Sequence, residues 1–295
     1  MADSEAEIRQ VFADAGTDGW LHACEVDGDG EVSVGADEPV VLASVFKVPV
    51  LVELMRQVDD GRVELSERIR VPAARRTMGP TGLSVFADDV ELSLRDLATS
   101  MMTVSDNTAT DVIMERLGGA EVVNATLQEL GCGETHIVGD CEQLLSELVA
   151  GLGLTDEYNE WRELPVEQLR ACAQLQPAGS SRSTPRAMTR LLGMIWRDEA
   201  ASPHGCAAMR QIMGMQVWPH RLTSGFPDAA AVSGKTGTLP GIRNEAGVVE
   251  WEGGRYAVAV FTVGHSFDSR QPAIDAAIGL GARRAVDHLK SFKRS

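Results

Sequence analysis

The chain has 295 residues, of which 44% are hydrophobic and 24% are charged, a composition typical of a globular protein with a substantial core. Its formal net charge of −16 at pH 7 opposes nucleic-acid binding, because such binding draws most of its affinity from basic side chains. No stretch reaches the roughly 18 apolar residues of a membrane span, and the acidic residues 1–7 are unlike the basic start of a secretory signal. We therefore expect no nucleic-acid or membrane partner, and a cytoplasmic location for the chain as given, or secretion if a leader was removed.

The predicted elements follow the order strands, many helices, strands and a final helix. An amphipathic helix over residues 4–15 precedes a hairpin whose strands, 20–26 and 31–35, flank the turn 27–30. Further helices are predicted over 44–58, 93–102, 108–117, 119–130 and 185–196, with an interrupted helical pattern over 139–176. Strands are predicted at 229–234, 246–252 and 256–264, followed by a last helix over 272–292.

Because strands lie at both ends of the chain, they can pair into one antiparallel sheet with the helical middle inserted between them. We predict an α+β fold in which this sheet is flanked by helices and carries an inserted all-helical subdomain. The chain is expected to form a single domain over 1–295. In this domain 1–65 and 200–295 supply the α/β part and 66–199 the helical part.

Lysine is rare in this chain: it occurs four times against 23 arginines, and Lys290 and Lys293 lie in the basic C-terminal tail. The other two, Lys47 and Lys235, are interior, and a buried lysine, unlike an arginine, can lose its proton and act as a base. Ser44 precedes Lys47 by three residues in an apolar helical segment, which places the hydroxyl and the amine on one helix face. The pair is a candidate nucleophile and base.

Two further motifs accompany this SxxK sequence at 44–47. An SDN sequence at 105–107 follows the helix predicted over 93–102, and a KTG sequence at 235–237 ends a predicted strand. In these three ordered motifs the chain resembles the class A β-lactamases and the related penicillin-binding proteins. The resemblance extends over roughly residues 15–292 and implies hydrolysis of the β-lactam amide through an acyl-enzyme.

The resemblance also implies a role for each matching residue. Ser44 would attack the substrate carbonyl, with Lys47 as base or proton relay, and Ser105 would pass a proton to the leaving nitrogen. Asn107 would bond to a substrate amide, and Lys235 would orient Ser105 and attract a substrate carboxylate.

The substrate-binding stretch implied by the resemblance continues after Lys235 as Thr236, Gly237 and Thr238. Both threonines would contact the carboxylate, and the backbone N–H groups of Ser44 and Thr238 would form the oxyanion hole. Arg243, eight residues after Lys235, would either reach the same carboxylate or form a surface ion pair.

The sequence departs from the class A pattern at the glutamate that activates water for deacylation, which those enzymes carry in an RxExxLN loop. No such motif occurs between Asn107 and Pro185, and the most similar stretch, EQLR at 167–170, lacks the leading Arg and the final Asn. Glu167 is a candidate general base, although helices normally expose such acids. Without a water-activating group an acyl-enzyme would form and persist.

Three functions stay open: a β-lactamase, an esterase, amidase or peptidase with the same serine, and a catalytically silent penicillin-binding-like protein. The complete set of two serines and two lysines argues against the silent protein, because buried lysines are costly in a scaffold. A cytoplasmic location would favour the second function. The cysteines and histidines show neither CxxC nor HExxH spacing, so no metal or organic cofactor is predicted. The expected partner is a small molecule with an amide or ester carbonyl and a carboxylate.

Overall fold

The computed structural model describes residues 2–154 and 160–292, with strands at both ends of the chain and helices in the middle. Within these residues the strands are β1 (Thr17–Glu25), β2 (Glu31–Val34), β3 (Val40–Val41), β4 (Arg68–Val71), β5 (Val90–Ser93), β6 (Arg182–Ser183), β7 (Ala231–Leu239), β8 (Ile242–Trp251) and β9 (Gly254–Gly264). The α-helices are α1 (Ala2–Asp14), α2 (Lys47–Asp59), α3 (Leu94–Thr103), α4 (Asn107–Leu117), α5 (Ala120–Glu129), α6 (Cys141–Gly151), α7 (Val166–Ala171), α8 (Pro185–Trp196), α9 (Pro203–Met213) and α10 (Pro272–Phe292).

The two ends of the chain build one antiparallel sheet, which confirms the predicted α+β fold. Its strand order is β2-β1-β9-β8-β7, and Trp20 of β1 lies opposite Phe261 of β9. Both predicted hairpins, β1–β2 and β8–β9, are present. Strand β7 continues to Leu239 instead of ending at residue 234, because its threonines and glycines hide the apolar alternation by which strands are recognised.

Helices cover both faces of this sheet. Along β9, Val258 and Val260 belong to the same core cluster as residues of α1 and α10, whereas Ala259 and Phe261 belong to the cluster that contains residues of α2, α8 and α9. Because successive residues of a strand point to opposite faces, this two-sided burial explains why β9 is a nearly continuous apolar run. The sheet is therefore the middle layer of the α/β part.

The middle of the chain is helical as predicted, apart from two short pairs of strands, β3–β6 and β4–β5. Helix α2 begins at Lys47, after a 3-10 turn at Ala43–Phe46, and not at Ser44. The serine therefore lies in the turn that leads into the helix.

Helix α9 falls outside the predicted helices, although the sequence carries a signal for it. The Ser202 side chain accepts the N–H of Gly205 and Pro203 is the first helical residue, which is a common way for a helix to begin. The same arrangement of Thr184 and Pro185 begins α8. The cap alone therefore identifies the start of α9.

Within 2–154 and 160–292 no helix combines the length and the apolar character needed to cross a membrane. The same residues contain no cluster of three or more His, Cys, Asp or Glu groups that could hold a metal ion. All five cysteines carry free thiols.

Candidate active site

A cavity of about 660 Å³ lies where the 3-10 turn before α2, the start of α4 and strand β7 meet. The predicted site residues that line it are Ser44, Ser105, Asn107, Thr236, Thr238 and Arg243. Lys47 and Lys235 are fully buried behind this surface, and both hydrogen-bond to Ser105. The fold thus brings the three sequence motifs to one place.

Ser105 lies between the two buried amines. The Lys235 Nζ donates to Ser105 Oγ at 2.9 Å and to the Thr236 carbonyl at 2.8 Å. The Lys47 Nζ donates to the Ser105 carbonyl at 2.8 Å and lies 3.4 Å from Ser105 Oγ. It also donates to Asn107 Oδ1 at 2.8 Å. One hydroxyl thereby connects two amines, which is an arrangement that can move a proton between them.

The environment of both amines favours their neutral form. Burial lowers the pKa of Lys47. Burial also lowers the pKa of Lys235 well below its usual value, and the positive charges of Lys47 and Arg221 lower it further. Because only a neutral amine accepts a proton, the lowered pKa of Lys47 favours a role as a base.

The SDN loop is held by its aspartate. Asp106 is completely buried and accepts hydrogen bonds from the N–H of Leu83 at 2.7 Å and from Ser100 Oγ at 2.7 Å. It also caps α4 through the N–H of Ala109 at 3.0 Å. The next residue back, Ser105, has φ +64°, a strained conformation for a non-glycine residue that the surrounding bonds must maintain. Asp106 therefore has a structural role that aims Ser105.

The Ser44 turn is fixed against the sheet. Ala43 has φ +47°, and the buried Asn244 side chain on β8 donates to the Val41 carbonyl at 2.8 Å and to the Leu42 carbonyl at 3.3 Å. A Cβ at Gly237 would lie 2.6 Å from the Leu42 carbonyl oxygen. The glycine of the KTG motif is therefore needed for the close approach of β7 to the backbone before Ser44.

Two arginines stand beside Thr238. The Arg221 guanidinium, which is 4% exposed, donates to Thr238 Oγ1 at 2.9 Å and to the Gly237 carbonyl at 3.0 Å, and it pairs with Asp275 at 2.7 Å. Arg243 lies opposite Thr238 in the sheet and donates to the Ser269 carbonyl at 2.6 Å. This end of the cavity is suited to a carboxylate. No sequence pattern points to Arg221, because it lies in an irregular segment outside every motif.

The opposite wall of the cavity is apolar. It is formed by Cys141, Leu144, Leu145 and Trp161, each less than one-tenth exposed. The described residues that line the cavity include one carboxylic acid, Asp268, which neighbours Ser269 at the arginine end. Among the described lining residues, therefore, none on the apolar wall is an acid able to activate water.

Glu167 is not brought to the cavity. It lies on the exposed face of α7 and is absent from the cavity lining, which corrects its candidacy as a general base. The physical reason is the orientation of the helix, because α7 turns Leu169 inward. Residues two apart lie on nearly opposite sides of a helix, so Glu167 faces solvent.

Comparison with known proteins identifies the family. A profile of the beta-lactamase enzyme family matches residues 3–289. The chain belongs to this family. Its relatives include a beta-lactamase regulatory protein, BlaB, of Streptomyces cacaoi, which is 29% identical over 99% of this chain and 100% of its own length.

Solved structures show that the fold is shared. A beta-lactamase from Sphaerobacter thermophilus superposes with a TM-score of 0.80 at 24% identity, over 99% of this chain and 98% of its own. A mutant of PBP-A, in an acyl-enzyme complex with penicillin G, superposes with a TM-score of 0.78 at 24% identity, over 100% of this chain and 98% of its own. The fold is thus shared with a protein named as a beta-lactamase and with one named PBP-A.

Proposed function

We propose that this member of the beta-lactamase family is a serine hydrolase that is acylated by β-lactams on Ser44 and releases the acyl group slowly. The observation that carries the proposal is the placement of Ser105 Oγ between the buried amines of Lys47 and Lys235, in the cavity that Ser44 lines. Burying an amine is costly while it carries a charge. Two lysines that are both fully buried beside one hydroxyl therefore indicate a chemical role for the amines.

Acylation follows from this arrangement. Neutral Lys47 takes the Ser44 proton, and the serine oxygen attacks the β-lactam carbonyl while the backbone N–H groups of Ser44 and Thr238 stabilise the oxyanion. One such donor is typically worth about 10²–10³ in rate. Ser105 then delivers its proton to the ring nitrogen as the carbonyl C–N bond breaks, and Lys47 returns the proton taken from Ser44 to Ser105 Oγ, 3.4 Å away. The substrate carboxylate lies at the end of the cavity where Arg221 and Thr238 meet.

Among the described residues that line the cavity, no acid lies on the wall where a deacylating water would be activated. Water must attack the ester from the cavity, and the wall that faces it there carries a buried thiol and apolar side chains. A general base typically contributes about 10²–10⁴ in rate, so the lack of one among the described lining residues favours an acyl-enzyme that persists. The charge of the site supports an anionic β-lactam as the acyl donor.

The experiment is intact-protein mass spectrometry with penicillin G and a chromogenic cephalosporin, following adduct and hydrolysis together. Wild type should gain one acyl mass that decays slowly, and Ser44→Ala should gain none. Ser84→Ala, at a serine outside the cavity lining, is the matched control and should be acylated normally. No adduct and no turnover in wild type would direct the search to other esters or amides.

A second candidate is a penicillin-binding protein whose acylated state serves as a signal. The apolar wall and the relative named as a regulatory protein favour it. The second candidate differs from the first because its acyl group would not be hydrolysed. An adduct stable over hours, with no product above the one equivalent bound, would support signalling over hydrolysis.

A further inference from the structure

An aromatic surface lines the cavity beside its carboxylate end. Trp218 and His220 line the cavity, as does Arg221, which follows them directly in the sequence. The two rings meet edge to face, with centroids 6.0 Å apart and an interplanar angle of 79°. Trp218 is half-buried, so the histidine ring supports the indole while part of the indole surface is left uncovered. No step of the proposed acylation uses this ring.

The chain segment that carries Trp218 is fixed to the KTG strand. Gln216 Oε1 accepts the N–H of Thr236 at 2.8 Å, and Gln216 Nε2 donates to Glu245 at 2.6 Å. The buried Glu245 carboxylate also accepts the N–H of Leu222, at 2.8 Å. Trp218 thus lies between two anchored residues, and a wall that is already ordered loses little conformational freedom when a ligand binds to it.

The proposed acylation determines which part of a substrate faces this wall. In that reaction Ser105 gives its proton to the leaving nitrogen, and Val104 beside it also lines the cavity. Arg221 and Thr238 would hold the carboxylate, and in a bicyclic β-lactam the carbon that carries the carboxylate is bonded directly to the leaving nitrogen. These two points orient the substrate, and a substituent on the next ring carbon is then directed to the wall that carries Trp218.

Trp218 is the more accessible of the two tryptophans among the described residues that line the cavity. Trp161 is 6% exposed and belongs to a core cluster with Leu144 and Leu169. It is part of the apolar wall, opposite the carboxylate end, whereas Trp218 lies three residues before Arg221 and is half-buried. An aromatic group attached beside the carboxylate would therefore meet Trp218 and not Trp161.

We propose that Trp218 is a specificity-determining residue that binds an aromatic group attached beside the carboxylate, on the leaving-group side of the substrate. The chemical class is a cephalosporin with an aryl or styryl group at position 3, next to the carbon that bears its carboxylate. Contacts between aromatic rings stabilise a complex beyond the apolar area that they bury. The inference rests on the proposed acylation of Ser44, because that reaction assigns the leaving nitrogen to Ser105.

The test compares two cephalosporins that share a thienylacetyl side chain and differ at position 3, where one carries a dinitrostyryl group and the other a methyl group. Isothermal titration calorimetry measures the affinity of the full chain with Ser44→Ala, which binds without being acylated, and the acylation rate is measured with Ser44 intact. Trp218→Ala removes the ring, and Trp218→Phe keeps an aromatic ring. Val217→Ala is the matched control, because Val217 is 53% exposed and absent from the cavity lining.

Trp218→Ala should weaken binding of the styryl cephalosporin about tenfold, as expected for the loss of an aromatic contact, and should leave the affinity for the methyl cephalosporin nearly unchanged. Trp218→Phe should recover most of the lost affinity, because it restores a ring at the same place. Val217→Ala should bind both cephalosporins as the parent protein does. The acylation rates at low substrate concentration should follow the same ratio in the proteins that keep Ser44.

Equal losses for the two cephalosporins would show that Trp218→Ala disturbs the site in general, and would overturn the inference. An unchanged affinity for the styryl cephalosporin in Trp218→Ala, or no binding of it by the Ser44→Ala protein, would do the same. If no protein with Ser44 intact is acylated, the proposed function fails, while the two affinities measured with Ser44→Ala still decide whether Trp218 selects the aromatic group.

Discussion

At the level of single residues, Cys141 offers a position at which the proposed slow deacylation can be tested. It is 3% exposed and lines the cavity, and burial raises the pKa of its thiol, which therefore stays neutral. Its backbone is held by Asp111, so a new side chain there would start from a fixed point. The apolar wall thus contains one site where a water-activating base can be introduced.

We therefore expect Cys141→Glu to shorten the lifetime of the acyl-enzyme about 10²-fold, the lower range for a general base, while acylation changes little. The measurement is the decay of the penicillin adduct by intact mass. Cys141→Gln has nearly the same shape without a base and should keep the wild-type lifetime. Equal lifetimes in both variants would show that the wall is not where deacylation is limited.

At the level of elements, the contact between β7 and the Ser44 turn decides the geometry of the nucleophile. Gly237 allows the strand to approach the Leu42 carbonyl, and Asn244 holds the same backbone from β8. An added Cβ at 2.6 Å from a backbone oxygen forces one of the two segments to move. The proposed oxyanion donors, the N–H groups of Ser44 and Thr238, lie on these two segments.

Gly237→Ala should therefore slow acylation by about 10²-fold, because displacing one oxyanion donor costs that much, with a smaller effect on thermal stability. Stopped-flow acylation with a fluorescent penicillin measures it. Gly28→Ala is the control, since the nearest atoms to its new Cβ all belong to the flexible Glu25 side chain. An unchanged acylation rate in Gly237→Ala would mean that the two segments shift without disturbing the oxyanion hole.

The part of the candidate site that the sequence could predict consists of residues in short motifs. The residues of SxxK, SDN and KTG combine chemistry with fixed spacing, whereas Arg221 and Asn244 gain their importance from which strand or loop lies beside them in the fold. Asp111 is intermediate between these two groups of residues. Its spacing of four from Asn107 puts both side chains on one face of α4, but its hydrogen-bond partners lie about 30 residues away in the sequence on either side. The sheet was predictable from its apolar strands. The predicted end of β7, at residue 234, came too early because the polar KTG motif interrupts the apolar pattern before the strand ends at Leu239.

At the level of the whole molecule, stability near pH 6 depends on two ionisable groups with opposite effects. His22 is 3% exposed, and its Nδ1 lies 2.6 Å from Thr189 Oγ1. Burial, and then the charge of Arg186, lower its pKa from 6.5. The stability that neutral His22 provides is therefore complete above pH 6.5 and is lost as the pH falls through its folded-state pKa.

Asp111 acts in the other direction, because burial raises its pKa to about 6, so the folded protein binds its proton more tightly than the unfolded chain does. Its ionisation costs stability in full above about pH 6, and the cost shrinks as the pH falls below 6 towards the unfolded-state pKa of 3.8. On acidification from pH 7.5 to 5.0, the free energy of unfolding should fall less in His22→Gln than in wild type and more in Asp111→Asn. Urea denaturation at both pH values measures these changes. Parallel losses in all three proteins would place the pH dependence in other groups, and opposite deviations would assign it to these two buried residues, one in the α/β part and one beneath the candidate active site.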